Sequence, residues 1–350
     1  MIKKLFSKDF IKHIPAIFGI LSAIISLLAF PAESANGVRE GLSFLGSDIL
    51  PALFPFMVIS SYISENRVIH KLALLSDKFT KKLFKTNGYT TICFLLGILG
   101  GYPVGAKAVR DYFVTGKLTQ NEAERLLYWC INPSPAFTIT AIGLIMTGNL
   151  KNGVLIYSSC ILASLTIGFF CRFINDNSAS KTDFSIPERN EASLVKAVTS
   201  STEAMLGICG WVLIFSSFSS VISALPLNES IKIFLRSICE VTTGCNTAIT
   251  NGLPSSVITA ITAFGGFAVI CQISTLTSVC NVKTSRLICS RVIASSVSVL
   301  YYSFITKLFP QYTQASVTIS TESGNFILYK SIPATILLLT MCVLFILEVD

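Results

Sequence analysis

The sequence predicts an all-α polytopic membrane protein with about eight transmembrane helices and two re-entrant hairpins set in inverted repeats. Three observations predict it. Hydrophobic residues make up 52% of the 350-residue chain and charged residues only 13%, against about a quarter charged in a soluble domain. The apolar residues, 25 phenylalanines among them, gather in blocks of about 20, the length that crosses a hydrocarbon core of about 30 Å. Two stretches, one in each half, interrupt this apolar pattern with glycine, proline or polar residues.

The segments follow in order. The basic start MIKKLFSKDFIKH leads into IPAIFGILSAIISLLAF, read as a retained first helix although AESA beyond it resembles a signal-peptide cleavage site. GLSFLGSDILPALFPFMVISSYI is the second span. Residues 66–88, amphipathic and strongly basic, fit a surface helix on the cytoplasmic side. The first interrupted stretch, Tyr89 to Val114, comes next, then spans from Glu122 to Thr147 and Val154 to Ile174. Residues 175–193 are polar and read as a linker between a first half (37–174) and a second (194–309). The second half has a long apolar helix from about Val195 to Leu225, an interrupted stretch ICEVTTGCNTAITNG, and spans Ser255–Val279 and Leu287–Phe309. The last helix spans 326–347 of a single membrane domain, 1–350.

Charge fixes the orientation. The net +8 is a topology signal, because Lys and Arg collect in cytoplasmic loops. Lys3, Lys4, Lys8 and Lys12, then Lys78, Lys81, Lys82 and Lys85, then Arg172, Lys181, Arg189 and Lys196 mark the inner side, as do Lys283 and Arg286. The count places both termini in the cytoplasm, residues 175–193 inside and 312–324 outside. The first interruption follows a segment ending inside and the second a segment ending outside, so the halves are opposed.

Backbone that leaves helical geometry in a membrane must be shielded by protein or line a watery cavity. Paired interruptions entering from opposite faces are the pattern of inverted-repeat transporters, whose broken helices hold the substrate near the midplane. In GILGGYPVGAKAVRD, Gly100, Gly101 and Gly105 permit the turn, and Tyr102 and Pro103 sit within it. Lys107 and Arg110, costly in lipid, face a cavity or the cytoplasmic interface. A glycine-rich helix contact with a snorkelling lysine is the competing reading. A phosphate-binding loop is excluded by Ala106 between Gly105 and Lys107 and by Ala108 in place of the hydroxyl residue.

Asn132 and Pro133 read as a solute or ion site, or as a kink contact. Thr119 and Glu122 have capping-box spacing. Glu240, with Thr243, Gly244 and Asn246 behind it, needs a partner or water inside an apolar chain; Gln272 is a secondary candidate.

Several classes fall away. The eleven cysteines, among them Cys93, Cys130, Cys160, Cys171, Cys209, Cys271, Cys289 and Cys342, lie singly and read as packing residues; His13 and His70 read as near loops. No metal or other cofactor is expected. Basic–aromatic runs that would bind nucleic acid are missing, as are H-E-x-x-H, paired intramembrane aspartates and G-x-S-x-G, so no enzyme is expected.

GGYPVGAKAVRDYFVTGKLTQNEAERLLYWCINPSPAFTITAIG resembles the nucleoside-recognition (Gate) domain membrane proteins. The likeness rests on Gly101 to Lys107, Leu118 to Leu126, and Asn132 with Pro133 and Pro135. It extends to GWVLIF at Gly210, EVTTG at Glu240 and AFGGFAVICQ at Ala263, covering nearly the whole chain beyond the first helix. The resemblance implies halves like those of concentrative nucleoside transporters, with Glu240 where those keep a ribose-binding acid. Their Gln-Thr-Glu signature is replaced around Tyr102, Pro103 and Val104, and the asparagine of their F-A-N segment by Val269. It also implies a role in spore formation, in cortex or envelope maturation. The expected protein is a multi-pass transporter or channel-like protein of the bacterial cell membrane for a small polar or anionic solute. The alternative is a non-transporting assembly protein acting through partners. Its expected partners are the lipid bilayer and that solute, and self-association is compatible with either reading.

Overall fold

The structure, a computed structural model, describes residues 21, 24–64, 66–174 and 193–309. Every regular element among them is helical. Most of the first helix, the 175–193 linker apart from Ser193, the 312–324 loop and the last helix at 326–347 lie outside the described residues.

Helix α1 (Pro31–Phe44) passes through a π-turn, Leu45–Ile49, into α2 (Leu50–Ser64). The polar residues before Gly41, expected to connect two spans, are therefore helical. Pro31 occupies the first turn of α1, where its missing N–H costs nothing. The amphipathic α3 (Arg67–Phe84) leads to α4 (Tyr89–Gly100) and α5 (Tyr102–Val114), then α6 (Gln120–Leu127), α7 (Ala136–Met146), which is wound as a π-helix, and α8 (Leu150–Cys171). The second part comprises α9 (Leu194–Ala224), α10 (Glu229–Cys239), α11 (Val241–Thr250), α12 (Ser255–Phe264), α13 (Gly266–Leu276) and α14 (Thr284–Leu308). One order thus occurs twice: a pair of short helices, an interrupted helix, and a long helix.

Among the described residues, four helical segments are long and apolar enough to cross a membrane: α8, α9, the 22-residue Ser255–Leu276 and α14. The other apolar segments, Leu53–Ser64, Tyr89–Gly100 and Ala136–Met146, are shorter.

Two expected spans are broken. Glu122–Thr147 divides into α6 and α7 because Pro133 and Pro135 offer no N–H to the turns before them. Ser255–Val279 bends where Gly265 and Gly266 adopt φ of 85° and 81°, a region that glycine enters without steric cost. His70 is also corrected: it is buried within α3, with Nδ1 2.6 Å from the Tyr89 hydroxyl.

Local rules account for the remaining ends. Thr119 and Glu122 form the expected capping box at α6. Both Glu122 oxygens also accept from Asn87, tying α6 to the α3–α4 turn. Arg125 donates to the carbonyls of Phe84 and Lys85 at the end of α3, where a cation suits the helix dipole.

Helices α2, α5, α13 and α9 touch in turn and close a four-membered ring. The α4–α5 pair is drawn tight by glycine: a Cβ on Gly105 would lie 2.4 Å from the Cys130 carbonyl oxygen and 2.9 Å from Gly97 Cα. Gly105→Ala should lower thermal stability by about 1–3 kcal/mol through overpacking. Gly210→Ala, whose Cβ meets open space, should leave the melting temperature unchanged. Equal melting temperatures for the two variants would contradict this packing.

Candidate functional site

Each short-helix pair turns at a point that meets its own half's interrupted helix. The α4–α5 turn is Gly101, with φ of 93°, and a Cβ there would lie 3.2 Å from Ser134 Cβ in the α6–α7 break. The α10–α11 turn is Glu240, and a Cβ on Gly266 in the α12–α13 break would lie 3.2 Å from the Glu240 backbone. Tyr102 joins the two halves by donating its hydroxyl to the Thr262 carbonyl, at 2.5 Å.

A cavity of about 440 Å³ lies between the two turns, lined by Gly101, Tyr102, Pro103, Ser134, Glu240 and Gln272 among others. Phe44, Ile49, Leu53, Phe137 and Val212 give it a largely apolar wall. A second cavity of about 310 Å³ shares Phe44, Glu240 and Thr242 with the first and adds Arg236, Thr243 and Asn246.

Glu240 already has partners. Its two carboxylate oxygens accept from the backbone N–H groups of Thr242 and Thr243, at 2.9 and 2.7 Å, as the N-cap of α11. This explains how an acid with 6% of its surface exposed is held in an apolar interior. A carboxylate has about four acceptor positions, so capping leaves capacity for a ligand. Gln272 differs: it is 6% exposed, lines the cavity, and has no hydrogen-bond partner among the described residues. Its amide is open to the cavity, where it can donate to or accept from a bound solute. The first turns of α5 and α7 also face the cavity and carry no acidic residue. Their partial positive charge favours acceptors or anions, opposite in character to Glu240.

The other expected site residues are elsewhere. Thr243 and Asn246 line the second cavity. Gly100, Gly105 and Gly244 line neither; their added Cβ atoms would strike Val104, Cys130 and Ser237 within their own halves. Asn132 and Pro133 are buried in the α6–α7 break. The Asn132 amide donates to the Trp129 carbonyl, and its oxygen accepts from Ser164. The kink-contact reading therefore describes Asn132. Lys107 does not face Glu240: its fully buried ammonium donates to Ser61 Oγ at 2.5 Å and to Asp111 at 2.7 Å, beside another cavity of about 240 Å³.

One group escaped the sequence altogether. Arg291, 2% exposed on α14, donates to the carbonyls of Ile131 and Tyr128 at 2.6 and 2.5 Å. It is a cation inside an apolar helix, which is a signal in itself, but nothing local names its acceptors. The carbonyls expected to hold an ion at the proline break are served by this guanidinium.

These features define an all-helical, multi-pass membrane protein. The chain is similar to the sporulation integral membrane protein YlbJ of Bacillus subtilis (strain 168), with 22% identity over 343 residues, covering 86% of this chain and 83% of the relative. No protein-family model and no solved structure matches it.

Proposed function

We propose that this protein is a transporter or channel-like protein that moves a small polar or anionic solute through the cavity between the two helix-pair turns, in the service of spore formation. The observation that carries the reading is the convergence of both turns on one cavity lined by Glu240 and Gln272. The repeated order of short pair, interrupted helix and long helix supports opposed re-entrant hairpins in two Gate-like halves. The α5 and α7 first turns receive the acceptor or anionic part of the solute, and Glu240 its donors. The sporulation role is taken from the similarity to YlbJ.

Deleting the gene in its native host should leave vegetative growth intact and reduce heat-resistant spores. An equal growth defect in non-sporulating cells would overturn the specialised role. Complementation with Val269→Trp separates transport from assembly. Val269 lines the cavity, so tryptophan obstructs it from within and should abolish rescue while the protein still reaches the membrane. Normal spores from that variant would favour an assembly protein acting through its surface.

A further inference from the structure

The amphipathic pattern of residues 66–88 resolves in the structure into three faces of α3, not two. At 3.6 residues per turn, His70, Ala73, Thr80 and Phe84 share the buried face. Lys71, Lys78 and Lys82 form an exposed basic stripe, extended by Lys85 just past the helix end. Leu72, Leu75 and Phe79 form an apolar ridge beside the stripe, with Leu75 81% and Phe79 63% exposed. The acid of this helix, Asp77, is engaged by Lys81 and by the Gly88 N–H. Lys71, Lys78, Lys82 and Lys85 therefore keep side chains without a hydrogen-bond or ion-pair partner among the described residues.

The level of α3 follows from what it touches. Phe84 stacks on Trp129 with ring centroids 4.7 Å apart, and a Cβ on Gly168 would lie 2.7 Å from the same indole. Gly168 belongs to the last turn of α8, a segment long and apolar enough to cross a membrane. The end of α3 thus stands at the height of a bilayer surface. Gly88 packs on Ala73 and bonds Asp77, so α4 starts from the middle of α3. The helix lies across the foot of the α4–α5 pair.

We propose that α3 is a docking surface for acidic phospholipid, with Leu72, Leu75 and Phe79 among the acyl chains and Lys71, Lys78, Lys82 and Lys85 on the phosphate headgroups. This inference does not depend on the transport reading. Water is a poor neighbour for the ridge, and hydrocarbon is a worse one for the stripe. The boundary of an anionic leaflet suits both. There the aliphatic part of each lysine lies along the apolar layer while its ammonium reaches the headgroups, and acidic lipid is the source of charge that the stripe lacks within the protein.

Phe79→Trp in a Trp211→Phe background reports the contact, with the buried Trp129 retained as an indole out of reach of lipid. The protein is reconstituted in phosphatidylcholine containing a minority of phosphatidylglycerol. Bromine is carried on the acyl chains of one lipid or of the other, because brominated chains quench an indole that they touch. Phe79→Trp should be quenched, and brominated phosphatidylglycerol should act about fivefold more strongly per mole, the advantage of one lysine–headgroup contact. Lys71→Gln, Lys78→Gln, Lys82→Gln and Lys85→Gln together should keep the quenching and abolish the preference; arginine at the same four positions should keep both. Leu162→Trp, on the exposed face of α8 and far along it from Lys151 and Arg172, should be quenched without preference. An unquenched Phe79→Trp would set the ridge against water or another protein and overturn the proposal. Equal quenching by the two lipids with the lysines intact would do the same, as would a preference that survives the glutamines or recurs at Leu162→Trp.

Discussion

Replacing Arg291 with leucine should sharply reduce thermal stability and the amount of protein in the membrane. In a continuous helix, the Ile131 carbonyl would accept from residue 135 and the Trp129 carbonyl from residue 133. Both positions are proline and have no N–H. The chain compensates twice: Asn132 Nδ2 serves Trp129, and Arg291 Nη1 serves Ile131 while Nη2 serves Tyr128. Leucine would leave the buried Ile131 carbonyl and the part-buried Tyr128 carbonyl without this donor. Losing a buried hydrogen bond to a charged donor costs about 1.5–3 kcal/mol, so a loss of at least that size is expected from the Ile131 carbonyl, with a smaller addition from Tyr128. Arg291→Lys should recover only part of this, since an ammonium is a point donor without the guanidinium fork. Melting in detergent, compared with Gly210→Ala, measures it. An unchanged melting temperature for Arg291→Leu would mean that the break is held by other groups.

The proline break also shows what the sequence could and could not reveal. The two turns were legible because glycine, proline and an isolated acid are conspicuous in an apolar chain, and Gly101 and Glu240 do sit at the turns. The α6–α7 interruption was read through because apolar residues on both sides of the two prolines mimic one span. Lys107 is legible as a residue that faces a cavity or the interface, but spacing along a helix does not say which cavity or that Ser61 will be its neighbour. Arg291 meets a carbonyl 160 residues away, and local periodicity carries no such information. The apolar cavity wall from Phe44 and Val212 was invisible for the same reason: nothing distinguishes them from lipid-facing residues until the helices are assembled.

Glu240 is predicted to do two separable things, and its substitutions should separate them. As the N-cap of α11 it accepts two backbone N–H groups, and replacing a good cap with alanine costs about 1 kcal/mol. As a cavity-lining carboxylate, it is expected to hold the solute's donors with a charge-assisted bond of about 1.5–3 kcal/mol, roughly ten- to hundredfold in affinity. Glu240→Ala should lose both, melting lower and failing to restore spores. Glu240→Gln keeps one acceptor oxygen but sets its NH2 against the other backbone N–H, so it should melt between wild type and the alanine variant and still fail. Glu240→Ser is the decisive variant, because serine is a favoured cap but is too short and uncharged to replace the carboxylate in the cavity. It should restore the melting temperature without restoring spores. If Glu240→Ser sporulates normally at wild-type membrane levels, the carboxylate is only a cap. The solute would then have to be held by Gln272 and the first turns of α5 and α7.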